Sequence, residues 1–97
     1  MSALKDKVAW VTGAGTGIGE AGAFAPARDG AIVVLSGRRK EPLEKAAKAI
    51  AAAGGKAHVR PADLSKADDV TGVVRFIEKE FGRLDIVVNN AGLNIPD

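Results

Sequence analysis

Four short runs of apolar residues, Val8–Thr12, Ala31–Leu35, about Ala57–Arg60 and Asp85–Asn89, punctuate the chain at intervals that leave room for a helix between each pair. The first, second and fourth are almost continuously apolar, which is the pattern of a strand buried on both faces rather than one with a wet side. Between them the period changes from two to about three and a half. Leu43, Ala46, Ala47 and Ile50 fall at i, i+3, i+4 and i+7, and predict a helix from Pro42 to Ala53. Glu41/Lys45 and Glu44/Lys48 are expected as i, i+4 pairs on its wet face, and Gly54-Gly55 as its stop. Val70, Val73, Val74, Ile77 and Phe81 make a second stripe. Ser65 with Asp68 three residues later reads as its capping box, and Gly82 closes it. An earlier helix is predicted from Gly17 to about Asp29. Pro26 falls inside it, where a proline removes a donor and crowds the preceding turn at about 3 kcal/mol, so a kink or an early end is expected there. The whole reads as one βαβαβαβ unit of the α/β class, a parallel sheet with helices on both faces.

Composition narrows the chemistry. Ninety-seven residues make one domain at most. A net charge of +2 is too small to argue for nucleic acid or a membrane surface. Without cysteine there are no disulfides or thiolate metal sites, and His58, the single histidine, has no partner at ligand spacing. No metal is expected. His58 reads as a solvent-facing or edge residue, and Trp10 as core. The amino terminus lacks an apolar stretch of signal-peptide length, and no run approaches the ~20 residues of a membrane span. A cytoplasmic location is the default. Asp68, Asp69, Glu78 and Glu80 read as helix start and wet face, not as a catalytic pair.

The chemistry-bearing stretch is Thr12-Gly13-Ala14-Gly15-Thr16-Gly17-Ile18-Gly19, directly after the first strand. Glycine there permits positive φ in a tight turn and lets a diphosphate approach the main chain at a helix N-terminus. A literal G-x-G-x-x-G also runs from Gly17 to Gly22, but it begins five residues beyond Thr12, out of register with a fingerprint that should follow its strand closely. No Gly-x-x-x-x-Gly-Lys-[Ser/Thr] run is present, which excludes a P-loop hydrolase. The pattern Thr12-Gly13-x-x-x-Gly17-x-Gly19, with Asp63 after the third strand and Asn89-Asn90-Ala91-Gly92 after the fourth, resembles the short branch of the short-chain dehydrogenase/reductase family.

That resemblance implies a Rossmann-type doubly wound parallel sheet of strand order 3-2-1-4, continued by further strands. Residues 1–97 would be the N-terminal part of a single NAD(P)-binding domain, truncated before its catalytic half. It implies a phosphate loop made by Gly13, Gly17 and Gly19, with Thr16 and Ile18 in contact. Asp63 would accept from the adenine amino group and Leu64 would line the ring; locally, Asp63 also reads as a plain turn residue. Asn90, Ala91 and Gly92 are expected beside the cofactor ribose, although an Asx-type turn explains them equally. Asn89 is expected to tie neighbouring strands. At the end of the second strand, where an acid would hold the ribose of NAD, stand Ser36-Gly37 and then Arg38-Arg39-Lys40. Arg38 suits the 2′-phosphate of NADP, and a solvated basic turn is the other reading. NADP is favoured over NAD, although Thr16 stands where NADP-preferring relatives often carry a basic residue.

Family members exchange hydride between a nicotinamide and a carbonyl or alcohol substrate, through a serine and a Tyr-x-x-x-Lys pair. This chain contains no tyrosine, so no catalytic residue is assigned within it. The expectation is the cofactor-binding portion of an oxidoreductase whose intact form is a homo-oligomer acting on a small molecule. As a 97-residue piece it should be marginally stable and inactive, with Ile86-Val87-Val88 an open apolar edge. The other reading is a stand-alone dinucleotide-binding or interaction protein without catalysis.

Overall fold

The structure, a computed structural model, describes residues 4–13 and 24–89. Its centre is β1, Val8–Thr12, buried along its whole length. It is flanked in parallel by β2, Ile32–Ser36, and by β4, Ile86–Asn89. β3, Lys56–Val59, adds in parallel to the far side of β2, so the order is β3-β2-β1-β4. This is the Rossmann-type order expected from the sequence. Every adjacent pair is parallel, so each connection has to cross the sheet, and the helices supply those crossings.

Helical segments lie over residues 24–28 (α1), Lys40–Ala52 (α2) and Ala67–Phe81 (α3). Alternation along the strands divides the core in two. Val11, Val33 and Leu35 pack with Ala27, Leu43, Ala46 and Ile50 on the α1 and α2 face. Val8, Trp10 and Val34 pack with Ala62, Val73 and Ile77 on the α3 face. β3 and β4 alternate between half-buried and exposed, as strands with one neighbour do.

Element boundaries differ from the sequence reading by one or two residues, for identifiable reasons. β2 extends to Ser36 because Ser36 pairs with Thr12 at the end of the β1 ladder. α2 begins at Lys40 because Pro42 then occupies the first turn, where a proline lacks no needed donor. The ion pair that closes on its wet face is Lys40–Glu44 at 3.8 Å, in place of the two pairs expected. Beyond α2, the Gly55 N–H donates to the Ile50 carbonyl and the Gly54 N–H to that of Ala51. With Gly54 at φ +89° this is a Schellman closure. α1 contains Pro26 and ends at residue 28. Pro26 therefore sits in the last turn, and its carbonyl accepts from both Asp29 and Ala31 N–H.

The capping box read at Ser65 is not formed. The N-cap of α3 is Lys66, with no side-chain cap. Ser65 instead directs its hydroxyl and its N–H to Asp63 Oδ1, at 2.6 and 3.0 Å. An ionised carboxylate is the stronger acceptor, and a hydroxyl proton spent on it leaves the cap unmade. Gly82 closes α3 as expected, in the left-handed conformation at φ +71°.

Candidate functional site

In an open parallel sheet, ligands bind beyond the carboxyl ends of the strands, where the chain leaves one strand to opposite sides. Here that switch falls between β1 and β4. Gly13, immediately after β1, has φ +68°, a conformation in the left-handed region that favours glycine. The ends of β1 and β4 are fastened there. The Thr12 hydroxyl lies 3.0 Å from Asn89 Oδ1 and 3.3 Å from the Val88 carbonyl oxygen, and Thr12 is buried. Asn89 thus ties the two strands, as its place in the sequence suggested.

On the other side of β1 the ends of β2 and β3 are laced together. The Arg60 N–H donates to the Leu35 carbonyl at 2.9 Å, and the Ala62 N–H to that of Gly37 at 2.8 Å. Ser36, expected from sequence to stand where an acid holds ribose, turns its side chain into the sheet. Its Oγ accepts from Trp10 Nε1 and donates to the Arg60 carbonyl, each at 2.8 Å. The first exposed residue after β2 is Arg38, followed by Arg39 and Lys40.

Asp63 follows β3 at this same end. Its N–H donates to Asp69 Oδ2 at 2.8 Å. The bonds from the Ser65 hydroxyl and N–H hold its carboxyl below the ordinary value, and the positive charges of Lys66 and Arg38 act in the same direction. Asp63 is therefore an ionised acceptor with a guanidinium in its field. Leu64 next to it is half-buried against the α3-face core. Thr16, Gly17, Ile18, Gly19, Asn90, Ala91 and Gly92 lie outside the described residues.

Two roles were not visible in the sequence. Asp69 holds the backbone of Asp63, and Ser36 joins β1, β2 and the segment after β3. A serine ending an apolar strand was the one available signal for the second. Trp10, read as core, is indeed buried, but its indole N–H makes the link to Ser36. His58 is exposed on β3, its ring 5.2 Å edge-on from that of Phe81. A cavity of about 380 Å³ between Phe24, Ala27, Ile50 and Gly54 opens at the opposite, amino-terminal end of β2 and β3. It holds none of the candidate residues.

Residues 7–97 match the profile of the short chain dehydrogenase family. An uncharacterized oxidoreductase of Methylorubrum extorquens is 49% identical over 94 residues, covering 96% of this chain and 38% of the relative. One of Staphylococcus aureus is 46% identical over 92 residues, covering 95% and 39%. A metagenomic short-chain oxidoreductase solved in complex with NADP superposes with a TM-score of 0.86 at 40% identity, over 89% of this chain and 39% of that one. The chain thus spans about two fifths of the length of these proteins. With strand order, the glycine turn after β1 and the acid after β3 all in place, the chain belongs to the short-chain dehydrogenase family.

Proposed function

We propose that this chain is the NAD(P)-binding portion of an oxidoreductase that exchanges hydride between a nicotinamide cofactor and a carbonyl or alcohol substrate, with NADP preferred. The observation that carries the reading is that Arg38 and Asp63 follow β2 and β3 at the same carboxyl end of the sheet at which β1 passes into the Gly13 turn. The chemistry of that donor set fits the adenosine half of a dinucleotide. An ionised carboxylate accepts from an amino group, Leu64 offers an apolar surface, and a guanidinium pairs with a 2′-phosphate. No acid stands at Ser36, Gly37 or Arg38 to hold a free 2′-hydroxyl or to repel a phosphate. The NADP bound by the metagenomic relative supports the same preference.

The chemical step is assigned to residues other than those of this chain, which has no tyrosine. Among the described residues no helix is long and apolar enough to cross a membrane, and the reading adopted is a cytoplasmic enzyme, homo-oligomeric when intact. Calorimetric titration with NADP and with NAD tests the proposal. NADP should bind more tightly, and Arg38→Ala should weaken it by about tenfold or more while moving NAD little, as expected for loss of a charge-assisted pair of roughly 1.5–3 kcal/mol. An unchanged preference would remove Arg38 from the site. A stand-alone binder without catalysis makes the same binding prediction. Sequencing the transcript past Asp97 to a Tyr-x-x-x-Lys separates the two.

A further inference from the structure

The side chain of Ser36 is fully buried, yet it is polar and makes two directional bonds, to Trp10 of β1 and to Arg60 just after β3. An alanine would fill much of the same space. What the hydroxyl adds is a fixed position for the Arg60 carbonyl relative to the end of β2. From that contact two short arms run to the surface. One is Gly37 to Arg38. The other is Pro61, whose φ is fixed by its ring, and Ala62, which is buried and bonded to the Gly37 carbonyl. It ends at Asp63, whose own N–H is held by Asp69. The Ala62 bond to the Gly37 carbonyl and the Asp69 bond to the Asp63 N–H tie the backbones of both arms to that contact. The backbone spacing of the two segments that carry Arg38 and Asp63 is therefore set beneath the surface.

We propose that Ser36, held by Trp10, is a positioning residue that fixes the spacing of Arg38 and Asp63 and through it the preference for the 2′-phosphorylated cofactor. The inference rests on the cofactor reading above. NADP engages both ends of that spacing, whereas NAD has no phosphate for Arg38, so a disturbed spacing acts unequally on the two. Ser36→Ala leaves the Trp10 N–H and the Arg60 carbonyl without this partner. Trp10→Phe removes the indole donor with part of a buried ring and keeps the Ser36–Arg60 bond.

The test is a pair of calorimetric titrations, with NADP and with NAD, on the unaltered protein and on each variant. Ser36→Ala should weaken NADP by about tenfold and NAD by no more than about threefold, and Trp10→Phe should shift the ratio the same way by less. Emission from Trp10, the single tryptophan of the chain, should change in Ser36→Ala as its indole bond is lost. A Ser36→Ala protein that folds with an unchanged NADP-to-NAD ratio overturns the proposal. So does a parallel loss of both affinities, which is the signature of a merely structural role. Should Ser36→Ala fail to fold, the ratio in Trp10→Phe decides alone: a shift toward NAD supports the proposal and no shift overturns it. Failure of the unaltered protein to bind either cofactor would instead sink the cofactor reading itself, before any substitution is considered.

Discussion

The two ends of β1 are fastened by different chemistry. At the amino end a charge does it. Asp85 Oδ2 accepts from the Val8 N–H at 2.9 Å, while Arg83 grips the same carboxylate with two nitrogens at 2.8 and 2.9 Å. The Asp85 N–H returns a bond to the Val8 carbonyl. At the carboxyl end the ties are uncharged: Thr12 to Asn89, and Trp10 through Ser36 to the Arg60 carbonyl. Arg38 and Asp63 lie beyond the neutral ties of the carboxyl end, with the Asp63 carboxylate bonded to Ser65. A strand end that must receive a charged ligand is best locked by groups that do not compete for it. On the cofactor reading proposed above the carboxyl end is the receiving one, and the amino end uses an ion pair.

The glycines sharpen the same contrast. Gly54, Gly55 and Gly82 all turn a helix back into the amino end of a strand, and Gly13 leaves the carboxyl end of one. The largest effect is expected at Gly55. A Cβ there would sit 2.7 Å from Ile50 Cγ2 and 3.2 Å from the Ile50 carbonyl oxygen. Ile50 is itself core, so Gly55→Ala must open the Schellman closure or displace Ile50, at about 1–3 kcal/mol. Gly82→Ala meets nothing within 4 Å but retains a φ of +71°, which is a purely conformational cost of roughly 1 kcal/mol. Thermal melts should resolve both, with Gly82→Ala lowering Tm by about 4–8 °C for a domain this small. Neither variant should alter the NADP-to-NAD affinity ratio when measured well below its melt. A changed ratio in either would mean that the two ends are not separable.

The sheet was legible in the sequence because its evidence is local. A continuous apolar run, a glycine stop and a helical stripe each declare themselves within about a dozen residues, and parallel pairing follows from their alternation. Gly82 and the β1–Gly13 junction were legible for the same reason. Ser65 was not, because its pattern is equally that of a cap and of a side chain bonded to a nearby acid, and the choice rests on which acceptor is stronger. Ser36 was illegible for a different reason. Its partners lie 26 and 24 residues away, and only the β-sheet register brings them together. The candidate charges Arg38 and Asp63 could be named from their strand-end positions, but not the bonds that set their spacing. The Asp85–Val8 tie spans 77 residues and left no trace in the periodicity.

The smallest effect, and the most direct test of the contrast, is in the acid limb of stability. Arg83 first, and then the Val8 N–H, hold the Asp85 carboxyl below the ordinary value. Asp63 is lowered as well, chiefly by Ser65. A carboxyl that ionises more readily folded than unfolded adds stability above its unfolded pKa, and loses it as pH falls through the lowered folded pKa. Both acids therefore contribute at neutral pH and lose that contribution progressively as pH falls below about 4. Their reach differs. Asp85 joins β4 to β1 across the chain, whereas Asp63 bonds its carboxylate only to Ser65, two residues on. Asp85→Asn should flatten the dependence of stability on pH below about pH 5 and lower stability at pH 7, leaving cofactor preference alone. Asp63→Asn should change the same slope less and weaken binding of both cofactors. Urea melts at a series of pH values, paired with titrations at pH 7, make the comparison. If Asp63→Asn proved the more destabilising, the carboxyl end would be held by its charges after all, and the division between a fastened end and a receiving end would fail.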